Sequence, residues 1–471
     1  MPVFDHFDDD DQYPRPNRHS EDDVQKFREQ LRNGEKDANS AEALEEIIQF
    51  YFEHEQFEEA LSFAERLLAF QPYSSEAWQR KGMILNNLVR YDDALECYGQ
   101  ALSLNPADVD IHVNRAIAFD NLNRLDEALE ALEQALVFEP MHEEALFLKG
   151  VALEKQDRFE EALACFRTIL TFNPENHETW YELGYCHDFL DQLEESVKCY
   201  DEHLNRNPFN TNAWYNRGIV LNRIGRFAQA IESYELALAT KEDFPAAYYN
   251  MGNAYANLGQ FQEAIKAYKQ TLELEPTDVP AWHNLGNAYE GLGRYQDAIE
   301  SFTMAIFHDD SHYESYFGRG CGYDALEDPK KALSDYIRAL SIFNEYPELW
   351  YARADAEYNL GRYQDCLSSY RMVLKLDPNN AEAWFDYGDT LQELGNSVEA
   401  LEALDRCLGL TPSFAPAIYS KGKALLLSGR LQPALACFKE SFGLDSNLRK
   451  SFVAEYPSLT FSKDFSRLLK K

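Results

Sequence analysis

The chain has 471 residues, and its 81 Asp and Glu outnumber its 44 Lys and Arg, so the formal net charge is −37. A surface this acidic repels phosphate backbones and anionic lipid, which argues against nucleic acid and membranes as partners and favours neutral or basic protein surfaces. A simpler interpretation stays open, in which the acidity only keeps a long, exposed chain in solution.

The first 40 residues fall into two parts. Residues 1–19 are acidic and contain Pro14 and Pro16, and they carry too little apolar surface to offset the entropy of ordering, so we expect disorder. Residues 20–40 are predicted to form an N-terminal capping helix, because Val24, Phe27 and Leu31 recur at helical spacing.

From residue 41 to residue 448 the sequence repeats itself every 34 residues, with no insertion or deletion. The twelve predicted repeats begin at Ala41, Ser75, Val109, Glu143, His177, Thr211, Pro245, Val279, Tyr313, Pro347, Ala381 and Ala415. A fixed period of this length is typical of stacked repeat architectures.

Three positions of the repeat indicate how each unit is built. The eighth and twentieth positions are mostly Gly or Ala, the twenty-fourth is mostly Tyr or Phe, and Pro often stands at the thirty-second. Apolar residues recur at helical spacing on both sides of a central break that is often Gly, so each unit is predicted to be two antiparallel helices. The small side chains would let the helices approach closely, and the large one would fill the space beside them.

This pattern resembles the tetratricopeptide repeat family over residues 41–448. The resemblance implies an all-α, right-handed superhelical solenoid whose first helices line a concave groove that binds peptides or proteins. The first unit departs twice, because Ile48 fills its small eighth position and Ala64 its large twenty-fourth position.

Residues 449–471 change in character, with six Lys and Arg against Glu455 and Asp464. We expect a C-terminal helix that caps the last repeat. The alternative is a basic tail that docks on the acidic array or recruits a partner.

The eight cysteines contain no C-x-x-C pair, and Cys97, Cys165, Cys199 and Cys437 share one repeat position before the core aromatic residue. They are expected to be small buried residues in a reducing compartment. No apolar run approaches the roughly 18 residues of a membrane span, and the acidic start lacks the apolar core of a signal peptide. We therefore expect a cytoplasmic protein that does not insert into membranes.

The resemblance places the second, fifth, sixth, ninth and twelfth positions of each first helix in the groove. Aromatic residues at the fifth position are common binding anchors, and Asn amides beside them can hold a peptide backbone. The candidate groove residues are Tyr181, Tyr215, Asn216, Tyr249, Asn250, Asn253, His283, Asn284, Asn287, Phe317, Tyr351 and Phe385. In the alternative interpretation these Tyr and Asn side chains pack between neighbouring helices and contact no ligand.

Acidic residues also occupy groove positions, among them Glu178, Glu182, Glu314, Glu348 and Asp386. The Lys and Arg clamp with which some relatives hold a C-terminal carboxylate is not reproduced. Complementary potential therefore favours neutral or basic segments over acidic tails.

Catalytic motifs are not evident. The cluster from His308 to His312 lies in a break between repeats, where a solvated turn is a better explanation than a metal site, and no phosphate-binding Gly loop or nucleophile elbow occurs. We expect no enzyme activity, no cofactor and no metal. The predicted function is a scaffold or adaptor for protein or peptide partners; the alternative is a self-assembling structural protein that forms homo-oligomers.

Overall fold

The computed structural model describes residues 40–469, and within that range the ordered elements are helical. The predicted all-α fold of paired helices is confirmed. The disorder predicted for residues 1–19 and most of the predicted helix at 20–40 lie outside the described residues. The chain divides into two compact units, residues 1–224 and 225–471.

The first unit contains eleven helices among its described residues. They are α1 (Ala41–Glu53), α2 (Phe57–Phe70), α3 (Ser75–Asn87), α4 (Tyr91–Leu104), α5 (Val109–Asn121), α6 (Leu125–Phe138), α7 (Glu143–Glu154), α8 (Phe159–Phe172), α9 (His177–Phe189), α10 (Leu193–Arg206) and α11 (Thr211–Ile224).

The second unit contains fifteen α-helices and one 3₁₀ turn, Pro457–Phe461, among its described residues. They are α12 (Phe227–Thr240), α13 (Pro245–Asn257), α14 (Phe261–Leu274), α15 (Val279–Gly291), α16 (Tyr295–His308), α17 (Tyr313–Ala325), α18 (Pro329–Ile342), α19 (Pro347–Asn359), α20 (Tyr363–Leu376), α21 (Ala381–Glu393), α22 (Ser397–Leu410), α23 (Ala415–Leu427), α24 (Leu431–Leu444), α25 (Asn447–Glu455) and α26 (Lys463–Leu469).

Within each unit the helices stack in chain order, and up to α24 each packs on the one before and the one after. Odd-numbered helices up to α23 are the first helices of the repeats. Most consecutive first helices also touch one another, and they come closer together than consecutive second helices do. Each stack therefore curves with its first helices on the inside, and we call the surface that they line the inner face of that unit.

The eighth position is small because a ring from the second helix lies directly against it. A Cβ added to Gly82 would stand 2.5 Å from Cε1 of Tyr98, and one added to Gly286 would stand 2.6 Å from Cε1 of Phe302. In the first repeat the large side chain is on the first helix (Ile48) and the small one is on the second helix (Ala64). Ile48 and Ala64 are both buried in the same core cluster, which accounts for the double departure of that repeat.

The turn inside each helix pair has a left-handed residue at the fifteenth position of the repeat. Six of these residues are glycines with φ between 69° and 84°, but Val89 adopts φ 61°. A β-branched residue rarely takes this conformation, so the packing of the two flanking helices holds the turn in place.

A second recurring contact joins the first helix to the loop before it in the repeats that carry Trp or His at the fourth position. The indole Nε1 of Trp78 donates to the carbonyl oxygen of Pro72 at 3.1 Å, and that of Trp282 donates to Pro276 at 2.9 Å. His112 makes the equivalent contact with the carbonyl oxygen of Pro106 at 3.0 Å. These bonds fix where a repeat begins relative to the end of the previous one.

The C-terminal segment packs on the last repeat. Phe452 of α25 and Phe465 of α26 are buried against Phe438 and Phe442 of α24. Lys470 and Lys471 lie outside the described residues.

The eight cysteines are free thiols. Of the four at the shared repeat position, Cys97, Cys165 and Cys199 are buried and Cys437 is half-buried.

Candidate partner-binding surface

The predicted tyrosine and asparagine residues of the first unit are joined to each other across the repeats. Tyr181 on α9 and Asn216 on α11 lie half-buried on neighbouring first helices. The Nδ2 of Asn216 donates to the hydroxyl oxygen of Tyr181 at 3.0 Å, and the Tyr181 ring packs 5.7 Å from that of Tyr200. Tyr215 is also half-buried on α11.

The same arrangement recurs in the second unit with more bonds. The Nδ2 of Asn284 on α15 donates to the hydroxyl oxygen of Tyr249 at 3.1 Å and to Oδ1 of Asn253 at 3.0 Å. The hydroxyl of buried Tyr268 donates to the same Oδ1 at 2.8 Å. We call Tyr249, Asn253 and Asn284 the amide ladder of the second unit; Asn250 lies half-buried beside it on α13.

His283 replaces the aromatic residue that the neighbouring repeats carry at the fifth position. Its Nδ1 lies 3.2 Å from the Oγ of Ser315 and its Nε2 lies 3.0 Å from the Nδ2 of Asn287. Burial, and then the charge of His312, lower the pKa of His283 to about 4. Asn287 is exposed, so it is the predicted amide that reaches solvent most freely.

The three remaining predicted aromatic residues are half-buried and face rings of their own unit. Phe317 packs 5.9 Å from Tyr346, Tyr351 packs 5.6 Å from Tyr370, and Phe385 packs 5.2 Å from Phe414. Each of these ring contacts lies within one repeat, so part of the area of these side chains is already used in packing inside that repeat.

A different set of side chains is prominent on the inner face of the second unit. Asp324 on α17, Asp355 on α19 and Asp386 on α21 are each half-buried and each accept a hydrogen bond from a tyrosine hydroxyl. Tyr336 donates to Asp324 at 2.6 Å, Tyr370 donates to Asp355 at 2.7 Å, and Tyr351 donates to Asp386. We call these three aspartates the carboxylate row.

The row crosses the first helices at an angle. Its members are 31 residues apart, three fewer than the repeat length, so each lies almost one helical turn nearer the start of its helix than the one before. An extended segment lying across α17, α19 and α21 would meet the three carboxylates in succession.

The carboxylates of the row act on one another. Burial raises the pKa of Asp355 to about 6, and the charge of Asp386 adds to the effect. Burial also raises the pKa of Asp324 and of Asp386, while the tyrosine hydrogen bonds partly oppose these shifts. The row is therefore a strip of negative potential that a cation would relieve.

The side chains around the carboxylate row are also negatively charged. The inner-face positions of repeats nine to eleven hold no Lys or Arg, and besides the row they hold Glu314, Glu348, Glu382 and Asp389. At the far end Lys423 lies 3.8 Å from Glu455. The sequence analysis identified Asp386 as an inner-face acid but missed Asp324 and Asp355, although both occupy groove positions.

On the inner face of the first unit, two acidic side chains are paired with each other. Burial raises the pKa of Glu154 to about 7 and holds that of Glu182 well above its usual range, and the two carboxyl groups share a hydrogen bond. The thiol of Cys186 donates to Glu154 Oε1 at 2.9 Å. Burial, and then the charge of Glu154, therefore favour the neutral form of Glu182, which weakens the negative potential of this face.

Cations also neutralise acids on the inner side of the first unit. Lys155 lies 2.7 Å from Asp120, while Arg223 pairs with Asp188 and Asp191. These pairs offset part of the negative charge on this inner face.

The cluster from His308 to His312 forms a hydrogen-bonded turn. Asp309 Oδ1 accepts from the backbone N–H and the hydroxyl of Ser311 at 2.9 and 2.6 Å. Across residues 40–469, no group of three or more His, Cys, Asp or Glu side chains is arranged to hold a metal ion. None of the described helices is both long enough and apolar enough to cross a membrane.

Models of the tetratricopeptide repeat family match most of the chain. Their matches together cover residues 75–108, 118–210, 220–300 and 317–415. Among the curated proteins, none matches the chain.

Solved structures of several repeat proteins are similar to this chain. YrrB, described as a repeat protein with an unusual peptide-binding site, is 25% identical over 41% of this chain and 98% of its own, with a TM-score of 0.38. The C-terminal part of a repeat protein from Cytophaga hutchinsonii is 20% identical over 50% and 97%, with a TM-score of 0.46. Yeast Tom70 is 16% identical over 84% and 99%, with a TM-score of 0.35.

Proposed function

The chain belongs to the tetratricopeptide repeat family, and on that premise we propose that it is a non-catalytic scaffold that binds basic segments of other proteins along the inner face of its second unit. The observation that carries the proposal is the carboxylate row of Asp324, Asp355 and Asp386. The free thiols of the eight cysteines are consistent with a cytoplasmic location.

The carboxylate row has bonding capacity to spare. An ionised carboxylate has about four acceptor sites, and the tyrosine hydroxyl occupies one of them in each aspartate. The tyrosines hold the carboxylates in place, so a Lys or Arg side chain meets an acceptor that is already positioned and partly desolvated. Preorganised acceptors of this kind bind cations at a lower entropic cost.

The amide ladder offers less to a partner. In the second unit the Oδ1 of Asn253 accepts two hydrogen bonds and the Nδ2 of Asn284 donates two. We therefore give the ladder a supporting role in fixing the spacing of the repeats, and we assign recognition to the row. Exposed Asn287 remains the predicted ladder-side residue best placed to contact a bound backbone.

The test is a fluorescence anisotropy titration of the full chain with a Lys- and Arg-rich peptide of about twelve residues. The triple variant Asp324→Asn, Asp355→Asn and Asp386→Asn keeps an acceptor for each tyrosine and removes three charges. We expect its affinity to fall about 30-fold, which corresponds to about 2 kcal/mol.

A matched control separates the row from the overall charge. The triple variant Glu300→Gln, Glu402→Gln and Glu440→Gln makes the same charge change at exposed positions on second helices of the same unit. It should bind within about two-fold of the wild type at 0.15 M salt, because separations beyond the Debye length of about 8 Å are screened. Equal losses in both triple variants would overturn the proposal.

Self-assembly is the second candidate, favoured by the opposite charges of the C-terminal segment and the inner faces. Against it, Phe452 and Phe465 anchor this segment on its own last repeat. Light scattering at 0.05 and 0.5 M salt decides between them, since docking between chains would give a larger mass at low salt only.

A further inference from the structure

The eighth and ninth repeats are joined by a chain of hydrogen bonds that runs through two histidines. On α15, His283 Nε2 lies 3.0 Å from Asn287 Nδ2, and its Nδ1 lies 3.2 Å from Ser315 Oγ on α17. That Oγ lies 2.9 Å from Nδ1 of His312, the residue that precedes α17. The two imidazole centroids are 5.1 Å apart, and Ser315 is fully buried between them.

The donors in this chain determine where its protons lie. The amide Nδ2 of Asn287 can only donate, so Nε2 of His283 accepts and Nδ1 carries the proton that is donated to Ser315. The backbone N–H of Ser315 donates to Nδ1 of His312 at 3.3 Å, so that nitrogen accepts as well. The remaining proton of His312, on Nε2, points towards Glu314, 3.7 Å away. In this arrangement of bonds each imidazole carries one proton and is neutral.

We propose that His283, Ser315 and His312 form a proton-sensitive joint, which is closed when both imidazoles are neutral and loosens the contact of α15 with α17 on acidification. A proton on Nδ1 of His312 would face the backbone N–H of Ser315, which cannot turn away. It would also place a positive charge at the start of α17, where the helix dipole is already positive. A proton on His283 would face Asn287, whose exposed amide can rotate.

The charged groups around the joint set the direction of its response. The charges that act on His283 are those of His312 and Glu314. His312 also lies near Asp309, whose carboxylate is held by Ser311, while Arg338 of α18 lies 3.9 Å from Asp310. Phe302 on α16, which packs 5.4 Å from His283, carries no charge.

The pKa of His283, lowered to about 4 in the folded protein, gives the expected size of the effect. A folded pKa below the usual imidazole value of about 6.5 means that the open state binds more protons between these two pH values. The closed joint is therefore fully favoured above about pH 6.5 and loses stability as the pH falls towards 4. From His283 alone, the opening equilibrium should rise about 30-fold between pH 7.5 and pH 5.

Hydrogen–deuterium exchange of the full chain at pH 7.5, 6 and 5 tests the joint, with each amide corrected for its intrinsic exchange rate. We expect the protection of α15 and α17 to fall about 30-fold at pH 5, while that of α20 and α21 falls less than three-fold. The double variant His283→Phe and His312→Asn should lose this difference. Phe is the ring that the next repeat carries at the fifth position (Phe317), and Asn is the cap used at α21 (Asn380).

Two further variants keep the result interpretable. His308→Gln removes a nearby histidine outside the joint and should respond as the wild type does. If the double variant is poorly folded, His283→Phe alone should still lose most of the response, because the expected size comes from His283. A double or single variant that retains the full acid response would overturn the joint, and so would a wild-type protein whose α15 and α17 stay protected at pH 5. No ligand is involved, so either result leaves the carboxylate row to be judged separately.

Discussion

The amide ladder and the carboxylate row occupy the same kind of position on neighbouring first helices of the second unit, yet they differ in what they can still bind. In the ladder, Asn253 and Asn284 use donors and acceptors on each other and on Tyr249 and Tyr268. In the row, each aspartate receives one tyrosine hydroxyl and keeps acceptor sites free. Amides can satisfy each other because they both donate and accept, but carboxylates only accept. A run of carboxylates therefore keeps acceptor sites that only a donor from outside the run can fill.

Of the changes that test this difference between ladder and row, replacing Asn253 with Leu should have the largest effect, and the effect should be on stability. The change removes the acceptor of Tyr268 and Asn284, and a buried donor without a partner costs about 1–3 kcal/mol. We expect a loss of about 2–3 kcal/mol in the free energy of unfolding, measured by urea titration. The basic-peptide affinity should stay within two-fold.

Asn257→Ala is the matched control for that change. Asn257 is exposed on the same helix and bonds only to a backbone carbonyl, at 2.9 Å, so its loss should cost less than about 0.5 kcal/mol. If Asn253→Leu abolished peptide binding while the protein remained folded, the ladder would be part of the recognition surface and the comparison would fail.

Lowering the pH should have the second largest effect. It should act on the carboxylate row and not on the amide ladder, because amides do not titrate in this range. With its pKa at about 6, Asp355 is almost fully charged at pH 7.5 and about nine-tenths protonated at pH 5. Affinity for the basic peptide should therefore fall about tenfold over this interval from Asp355 alone. The measurement is the same anisotropy titration at constant ionic strength.

The pH dependence of peptide affinity should also be measured in a variant without the histidine joint, so that opening of the joint does not contribute to it. In His283→Phe, His312→Asn protein the fall in affinity should persist, and adding Asp355→Asn should flatten most of it. An affinity that stays constant from pH 7.5 to pH 5 would mean that the cation binds elsewhere.

Tyr249→Phe should have the smallest effect. It removes one hydroxyl that accepts from Asn284, whose Nδ2 keeps its bond to Asn253. We expect a loss of about 0.5–1 kcal/mol in the free energy of unfolding and no measurable change in peptide affinity. A loss of affinity above about five-fold would show that the tyrosine hydroxyl contacts the partner.

The repeat period and the volumes at its positions could be predicted from the sequence because they depend on local spacing. Each first helix begins at a residue where the 34-residue period starts a new unit, from Ala41 to Ala415. The rings of Tyr98 and Phe302 lie against Gly82 and Gly286, as the pairing of a small and a large position indicated.

The candidate site could be predicted only in part. The family resemblance implies which positions of the first helices line the groove, so Tyr249, Asn284 and Asp386 were identified from it. Which of their polar atoms remain available depends on partners 15, 31 or 35 residues away, such as Tyr268, Asn284 and Tyr351. The aromatic and amide residues therefore looked like the stronger site, and Asp324 and Asp355 were missed.

The sequence by itself determined the helix pairs, their stacking period and the excess of negative charge, because each follows from residue type and spacing along one chain. Only the tertiary structure decided which inner-face groups are satisfied. Hydrogen bonds between neighbouring repeats occupy the amides of the ladder, and burial raises the pKa of Glu182. The row of Asp324, Asp355 and Asp386 is left as a negative strip, because its tyrosines donate to the carboxylates without neutralising them.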